Sequence, residues 1–173
     1  MAEKTLIDYC ASHDADTVRW LSSGEMRATF GFNGTISVES HRRWVETSCN
    51  THIWAIVDRV GLHCGNTLIH VNTRHGSGYL QMYVSEPAVR GAGLGSDALR
   101  ETLEKAFETL DLHRIWLHTL PGNVAAEALY RRHGFTSEGI ERESIRGSTG
   151  FSSQNRWSIL ADEWHNLRQA RSR

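Results

Sequence analysis

The chain has 173 residues, 39% of them apolar, with 19 Lys and Arg against 20 Asp and Glu. That length suits one compact domain with a real core, and the near-zero net charge gives no field that would draw the molecule to nucleic acid or an anionic membrane. The longest purely apolar run, residues 53–57, is far below the roughly 20 residues of a spanning helix; with no apolar signal core at the start and three widely spaced cysteines, a cytoplasmic single domain over residues 1–173 with free thiols is expected.

Residues 5–8 read as a short first strand, and Asp14–Leu21 as a helix with Val18 and Leu21 facing inward. Gly24, Gly31 and Gly34 punctuate residues 22–35, which read as a loop, either the rim of a substrate entrance or a plain surface connection. Ser37 is placed to cap a helix over Val38–Thr47, on which His41, Trp44 and Val45 are one turn apart. Residues 52–57, 66–71 and 78–84 are β-branched and aromatic and form a strand meander, with turns over 59–65 and 72–78.

An apolar-periodic helix follows, with Ala98, Leu99, Leu103, Ala106, Phe107 and Leu110 on one face. Residues 114–120 alternate, with Ile115, Leu117 and Thr119 on one side and Trp116, His118 and Leu120 on the other. Asn123 to His133 is helical, and Gly134 stands at its C′ position. A strand runs from Phe135 to about Ile145, a hairpin tip spans 147–150, and the return strand covers 155–160, leaving an Arg-rich tail expected to fray.

Between the strand ending at Val84 and the helix lies Arg90-Gly91-Ala92-Gly93-Leu94-Gly95-Ser96. Glycines there let backbone N–H groups converge at a helix N-terminus, where unpaired donors and the helix dipole favour a phosphate. Arg90 adds a cation. A P-loop needs GxxxxGK[ST], and a dinucleotide fingerprint needs Gly or Ala where Ser96 stands, so neither fits.

The order strand, R-G-x-G-x-G, helix resembles motif A of the GNAT superfamily of acetyl-coenzyme A dependent acetyltransferases. The segment from Ile115 through Asn123 and the Ala-rich helix to Leu129-Tyr130 and Gly134-Phe135 resembles motif B of the same family, in order and at the right distance. Trp20, the helix with His41 and Trp44, and the closing Trp157 to Trp164 look like the branch with Rim-type N-terminal and amino-sugar acetyltransferases.

The resemblance implies an α/β (α+β) GNAT fold, a mixed and mostly antiparallel twisted sheet flanked by helices and split where acetyl-CoA enters. It implies that the loop amides of residues 90–96 hold the coenzyme A diphosphate, and that backbone groups of Met82 and Val84 take the pantetheine arm. A backbone N–H of that strand would polarise the thioester oxygen. Tyr130 matches the family's general acid for the departing thiolate, the alternative being a tyrosine that only packs on the cofactor. His118 stands where Rim-type enzymes carry a strand Glu thought to act as base; histidine suits that task near neutral pH, and a hydrogen-bonded structural role or Glu86 as base are the alternatives. Asn123 either contacts the cofactor arm or caps its own helix.

No metal is expected, since the histidines and cysteines lack paired ligand spacing. The trio His41-Arg42-Arg43 reads as a solvated helix face or as a contact for an anionic part of a substrate. The acceptor is expected to be a primary amine, either on a small molecule such as an amino sugar or antibiotic or at a protein N-terminus. A noncatalytic acetyl-CoA sensor is the reading from another class. Expected partners are the amine and, as one option, a second copy in a homodimer, with no nucleic acid and no membrane.

Overall fold

A computed structural model describes residues 4–30, 34–86, 93–147 and 150–171. Its frame is one seven-stranded sheet: β1 (Leu6–Asp8), β2 (Thr51–Val57), β3 (His63–Asn72), β4 (Ser77–Val84), β5 (Arg114–Thr119), β6 (Thr136–Gly147) and β7 (Gly150–Leu160). The spatial order is β1-β2-β3-β4-β5-β7-β6, antiparallel except for the parallel pair β4 and β5.

Helices cover both faces. α1 (Asp14–Leu21), α2 (Gly24–Phe30) and α3 (Val38–Thr47) precede the meander. α4 (Leu94–Glu104), with a π-helical turn over Lys105–Thr109, connects β4 to β5; α5 (Val124–Arg132) connects β5 to β6; and α6 (Ala161–Arg171) follows β7. α4, α5 and α6 supply Leu99, Leu103, Tyr130 and Trp164 to a core built on Ile69, Leu80, Ile115, Leu117 and Ile159. On the opposite face, α1 meets the sheet where Asn66 Nδ2 donates to Thr17 Oγ1 at 2.8 Å.

The alternation in β5 is as expected, with Ile115, Leu117 and Thr119 buried and their neighbours only partly so. Thr119 Oγ1 accepts from the indole N–H of the buried Trp157 at 3.0 Å, which satisfies the one polar group of that large ring. Ser37 caps α3, accepting from the Ser40 amide, and Gly134 ends α5 at φ +88°. That left-handed backbone is what a glycine at C′ provides.

Four expectations are corrected. Residues 24–30 form α2, because Ser23 Oγ accepts from the Met26 amide at 3.3 Å and Met26 is buried as its anchor. Gly24 sits at the helix start, where it costs little, so it did not break the helix. His63, Cys64 and Gly65 belong to β3 and are buried; β2 meets them across a register shift at Ile56 and Val57. β6 and β7 extend beyond the expected strands to Gly147 and back from Gly150. The tail is α6: the Glu163 carboxylate accepts from the Leu160 amide at 2.9 Å, and Trp164 packs 5.3 Å from Phe107, with Leu167 also against the core. Two apolar positions among many charges suffice once a core awaits them.

Candidate active site

β4 and β5 pair only from Ser77 opposite Arg114 to Tyr79 opposite Trp116. Beyond that point β4 continues to Val84 paired with β3 alone, while β5 continues against β7. The sheet therefore opens between two parallel strands, and backbone groups along the facing edges of β4 and β5 lack each other as partners. An extended polar chain can bind such an edge by completing its ladder.

β4 ends where the Ser85 and Glu86 amides both donate to the Cys64 carbonyl, at 2.8 and 3.2 Å, an arrangement of two residues against one that bends the strand away. Glu86 is half-buried there. Met82 and Val84 lie in the unpaired part of β4 and pack against the core cluster.

Past the seam stands the start of α4. Gly93 is its N-cap at φ +87°, and its carbonyl accepts from the Ser96 and Asp97 amides at 2.8 and 3.1 Å. Among the described residues, a Cβ at Gly93 would meet nothing within 4 Å, and one at Gly95 would reach only Val84 Cγ2 at 3.9 Å. Packing among the described residues therefore does not require the bare backbone at Gly95, which stands at the positive end of α4. Leu94 packs on the core, and Ser96 Oγ lies 2.8 Å from His133 Nε2, which ties the start of α4 to the end of α5. Arg90, Gly91 and Ala92 lie outside the described residues.

Tyr130 projects from α5 into the core, 7% exposed, with its ring 5.4 Å from Phe135. Burial, with a smaller contribution from Tyr79, pushes its phenol up to about 12. The group therefore holds its proton throughout the neutral range, which suits a proton donor and not a base. Asn123 is the N-cap of α5, with Oδ1 accepting from the Ala126 amide at 3.2 Å, so the capping role is the one its contacts display.

His118 points to the other face of β5, where Tyr79 packs against it at 5.7 Å and against Trp116 at 4.5 Å. Its Nε2 approaches Glu141 Oε2 to 2.9 Å, off the line of a good hydrogen bond. Arg156 Nη1 donates to the other oxygen of Glu141 at 2.6 Å while its guanidinium lies over Trp116 at 4.2 Å. Partial burial would raise the Glu141 carboxyl, but Arg156 and His118 outweigh it and hold it below its ordinary range. Glu141 was not singled out in the sequence; its partners stand 15 and 23 positions away, on β7 and β5, and leave no local signal.

A cavity of about 430 Å³ covers the β3 and β4 face on this same side, walled by α1, α2 and α3. Gln81 and Tyr83, from the part of β4 that has lost β5, form part of its floor. His70 is held at both nitrogens, Nδ1 by Thr51 Oγ1 at 2.9 Å and Nε2 by Gln81 Oε1 at 3.0 Å. Among the described residues no group of three or more His, Cys, Asp or Glu is placed to hold a metal ion, and no helix is long and apolar enough to cross a membrane.

An opened sheet edge with a glycine-capped helix N-terminus at one end of it is an arrangement that can take an extended chain carrying a phosphate. The comparisons carry this further. The model of the GNAT acetyltransferase domain matches residues 5–136, and the chain belongs to that family of acetyl-CoA-dependent acetyltransferases.

Spermidine N(1)-acetyltransferase of Vibrio cholerae is 28% identical over 137 residues, covering 78% of this chain and 72% of that protein. The probable N-acetyltransferase YjcK of Bacillus subtilis is 33% identical over 64 residues, 37% of this chain and 35% of YjcK. The crystal structure of the Vibrio cholerae spermidine N-acetyltransferase with CoA and spermine superposes with a TM-score of 0.84 at 20% identity, covering 92% of this chain and 96% of that one. The narrower likeness to Rim-type and amino-sugar enzymes is not the one these comparisons name: the two Vibrio cholerae matches carry spermidine acetyltransferase names, and YjcK only that of a probable N-acetyltransferase.

Proposed function

We propose that the chain transfers acetyl from acetyl-CoA directly to a primary amine of a small molecule held over β3 and β4. The observation that carries this is the overlap of two features: the cavity floor includes Gln81 and Tyr83, and those residues lie where the sheet has opened. Acceptor and donor can thus meet through the seam. The cavity is a pocket of about 430 Å³ bounded by residues of three helices and not a long groove, which favours a small acceptor over the extended peptide that an enzyme acting on protein N-termini takes. The names of the Vibrio cholerae relatives point the same way, toward a small amine.

The donor supplies an activated carbonyl and a thiolate leaving group. The open backbone at Gly93 to Ser96, extended by Arg90, Gly91 and Ala92, holds its diphosphate, and β4 near Met82 and Val84 takes its arm, with a strand N–H aimed at the carbonyl oxygen. Tyr130 gives its phenolic proton to the sulfur as the C–S bond breaks. His118, steadied by Glu141, takes the proton released by the amine nitrogen as the C–N bond forms, directly or through water. Measuring thiol release from acetyl-CoA with small amines and with N-terminal peptides checks the reading. Amine-dependent release is expected; release with peptides alone favours the protein N-terminal reading, and coenzyme A binding without any turnover favours a sensor.

A further inference from the structure

The walls of the cavity over β3 and β4 are mainly aromatic and apolar. Tyr9, Phe30, Trp44 and Tyr83 present rings, and Ile53 and Leu68 present aliphatic surface. Among the described lining residues there is no carboxylate and no Lys or Arg. The segments 31–33 and 87–92 contain no Asp or Glu either.

An acid that touches this wall, Asp14, is already paired with a cation. Asp14 is 3% exposed; its Oδ1 accepts from the Tyr9 hydroxyl at 2.9 Å and its Oδ2 from Arg42 Nε at 2.7 Å, with His41 Nε2 3.7 Å away. Asp16 and Glu39 on the same helices are paired with Arg19 and Arg43, at 2.9 and 3.2 Å. The polar groups that do face the cavity are mostly engaged with one another: His70 with Thr51 and Gln81, and Asn66 with Thr17 and Tyr83.

A polyamine carries several ammonium groups along its length. Each one beyond the reacting nitrogen would leave water for an apolar wall with no counter-charge, which is strongly unfavourable. A single amine on a flat, uncharged body has no second ammonium to strip of water, and it gains ring contacts from Trp44, which is 38% exposed, stacks with His41 and closes edge-on upon His70. A volume of about 430 Å³ is within the ordinary size of a small-molecule site.

We infer that the acceptor is a monoamine with an uncharged aromatic body, an arylalkylamine in chemical class, and that this cavity discriminates against polyamines. The inference rests on the acetyl-transfer reading above and adds the acceptor's chemistry to it.

The test is steady-state thiol release from acetyl-CoA with phenethylamine, tryptamine, spermidine and glucosamine, on the intact chain and on Trp44→Ala. The arylalkylamines are expected to show kcat/KM at least about tenfold above spermidine and glucosamine. Trp44→Ala, at a partly exposed helix position where folding is safe, is expected to raise KM for tryptamine about tenfold with coenzyme A affinity unchanged in calorimetry. Leu68→Asp, which adds a carboxylate to the wall, is expected to narrow the gap to spermidine. Preference for spermidine or glucosamine overturns the inference alone, as does a tryptamine KM indifferent to Trp44→Ala. Absence of turnover with every amine overturns the acetyl-transfer reading and this inference with it.

Discussion

Tyr130→Phe separates a chemical role from a packing role, because the ring's surroundings are apolar and only the hydroxyl is in question. The phenol is pushed from 10.0 to about 12 by burial, so the phenolate is disfavoured by roughly 3 kcal/mol relative to water. A thiol ordinarily titrates near ~8.5, so full proton transfer from such a phenol to a thiolate would be uphill in water by about 5 kcal/mol. Burial of the sulfur at the same seam raises its basicity too and narrows that gap, so Tyr130 acts late, as the C–S bond breaks. Because a thiolate is a tolerable leaving group, the loss on removing the acid should sit at the low end of the general-acid range, about 10²-fold in kcat, or about 2.7 kcal/mol. Phe keeps the contact with Phe135, so coenzyme A affinity should change less than about twofold and thermal stability should hold within a few degrees. Rates come from thiol release, affinity from calorimetry. A variant that keeps more than a third of kcat, or that loses affinity in proportion to rate, refutes the assignment of Tyr130 as acid.

Three further outcomes are expected. His118→Ala should lower kcat/KM about 10²-fold at neutral pH and recover toward wild type as the pH rises enough to deprotonate the amine itself; a loss of equal size at every pH would mean that His118 only supports the sheet. Burial holds His13 and His41 below 6.5, and Arg114 and Arg156 help to hold Glu138 and Glu141 below 4.5. In each case the unfolded chain binds protons first, so stability present above those values is lost on acidification, beginning near pH 6.5 and steepening below pH 4.5; the urea midpoint should fall accordingly, His41→Gln should flatten its upper part, and a midpoint constant from pH 7 to 4 would contradict this. Gly134→Ala places a Cβ at φ +88° and 2.2 Å from Leu167 Cδ1, the mobile end of a half-buried side chain, so the strain of the backbone dominates and the loss should be about 1–3 kcal/mol by denaturant titration. A neutral result would show that α6 yields without cost.

What the sequence made legible divides by the range over which its signals act. The α1 and α3 helices, the alternation of β5 and the Asn123 to Gly134 segment were readable, because caps, periodicity and a C′ glycine are decided within a dozen residues. α2 and α6 were not, since each is held by one or two apolar anchors, Met26 in one and Trp164 with Leu167 in the other, whose weight exists only once the core is assembled. The loss of periodicity at the π-helical turn did not mislead, because Ala106 and Phe107 remain buried through it.

The same division runs through the site, and it explains why donor and acceptor were unequally readable. The proposed donor end draws on contiguous stretches of sequence, 90–96 and 123–135, which resemble two family motifs and so could be read locally. The proposed acceptor end is assembled from Trp44, Leu68 and Tyr83 on three separate elements and Tyr9 just past β1, and its electrostatics turn on the pairing of Asp14 with Arg42, 28 positions away. No window of sequence holds that information. On the proposed reading, acceptor choice is a property of the packed first half against β3 and β4, free to change while the motifs stay fixed, and likeness to spermidine acetyltransferases then leaves the acceptor to be read from the charge of the walls.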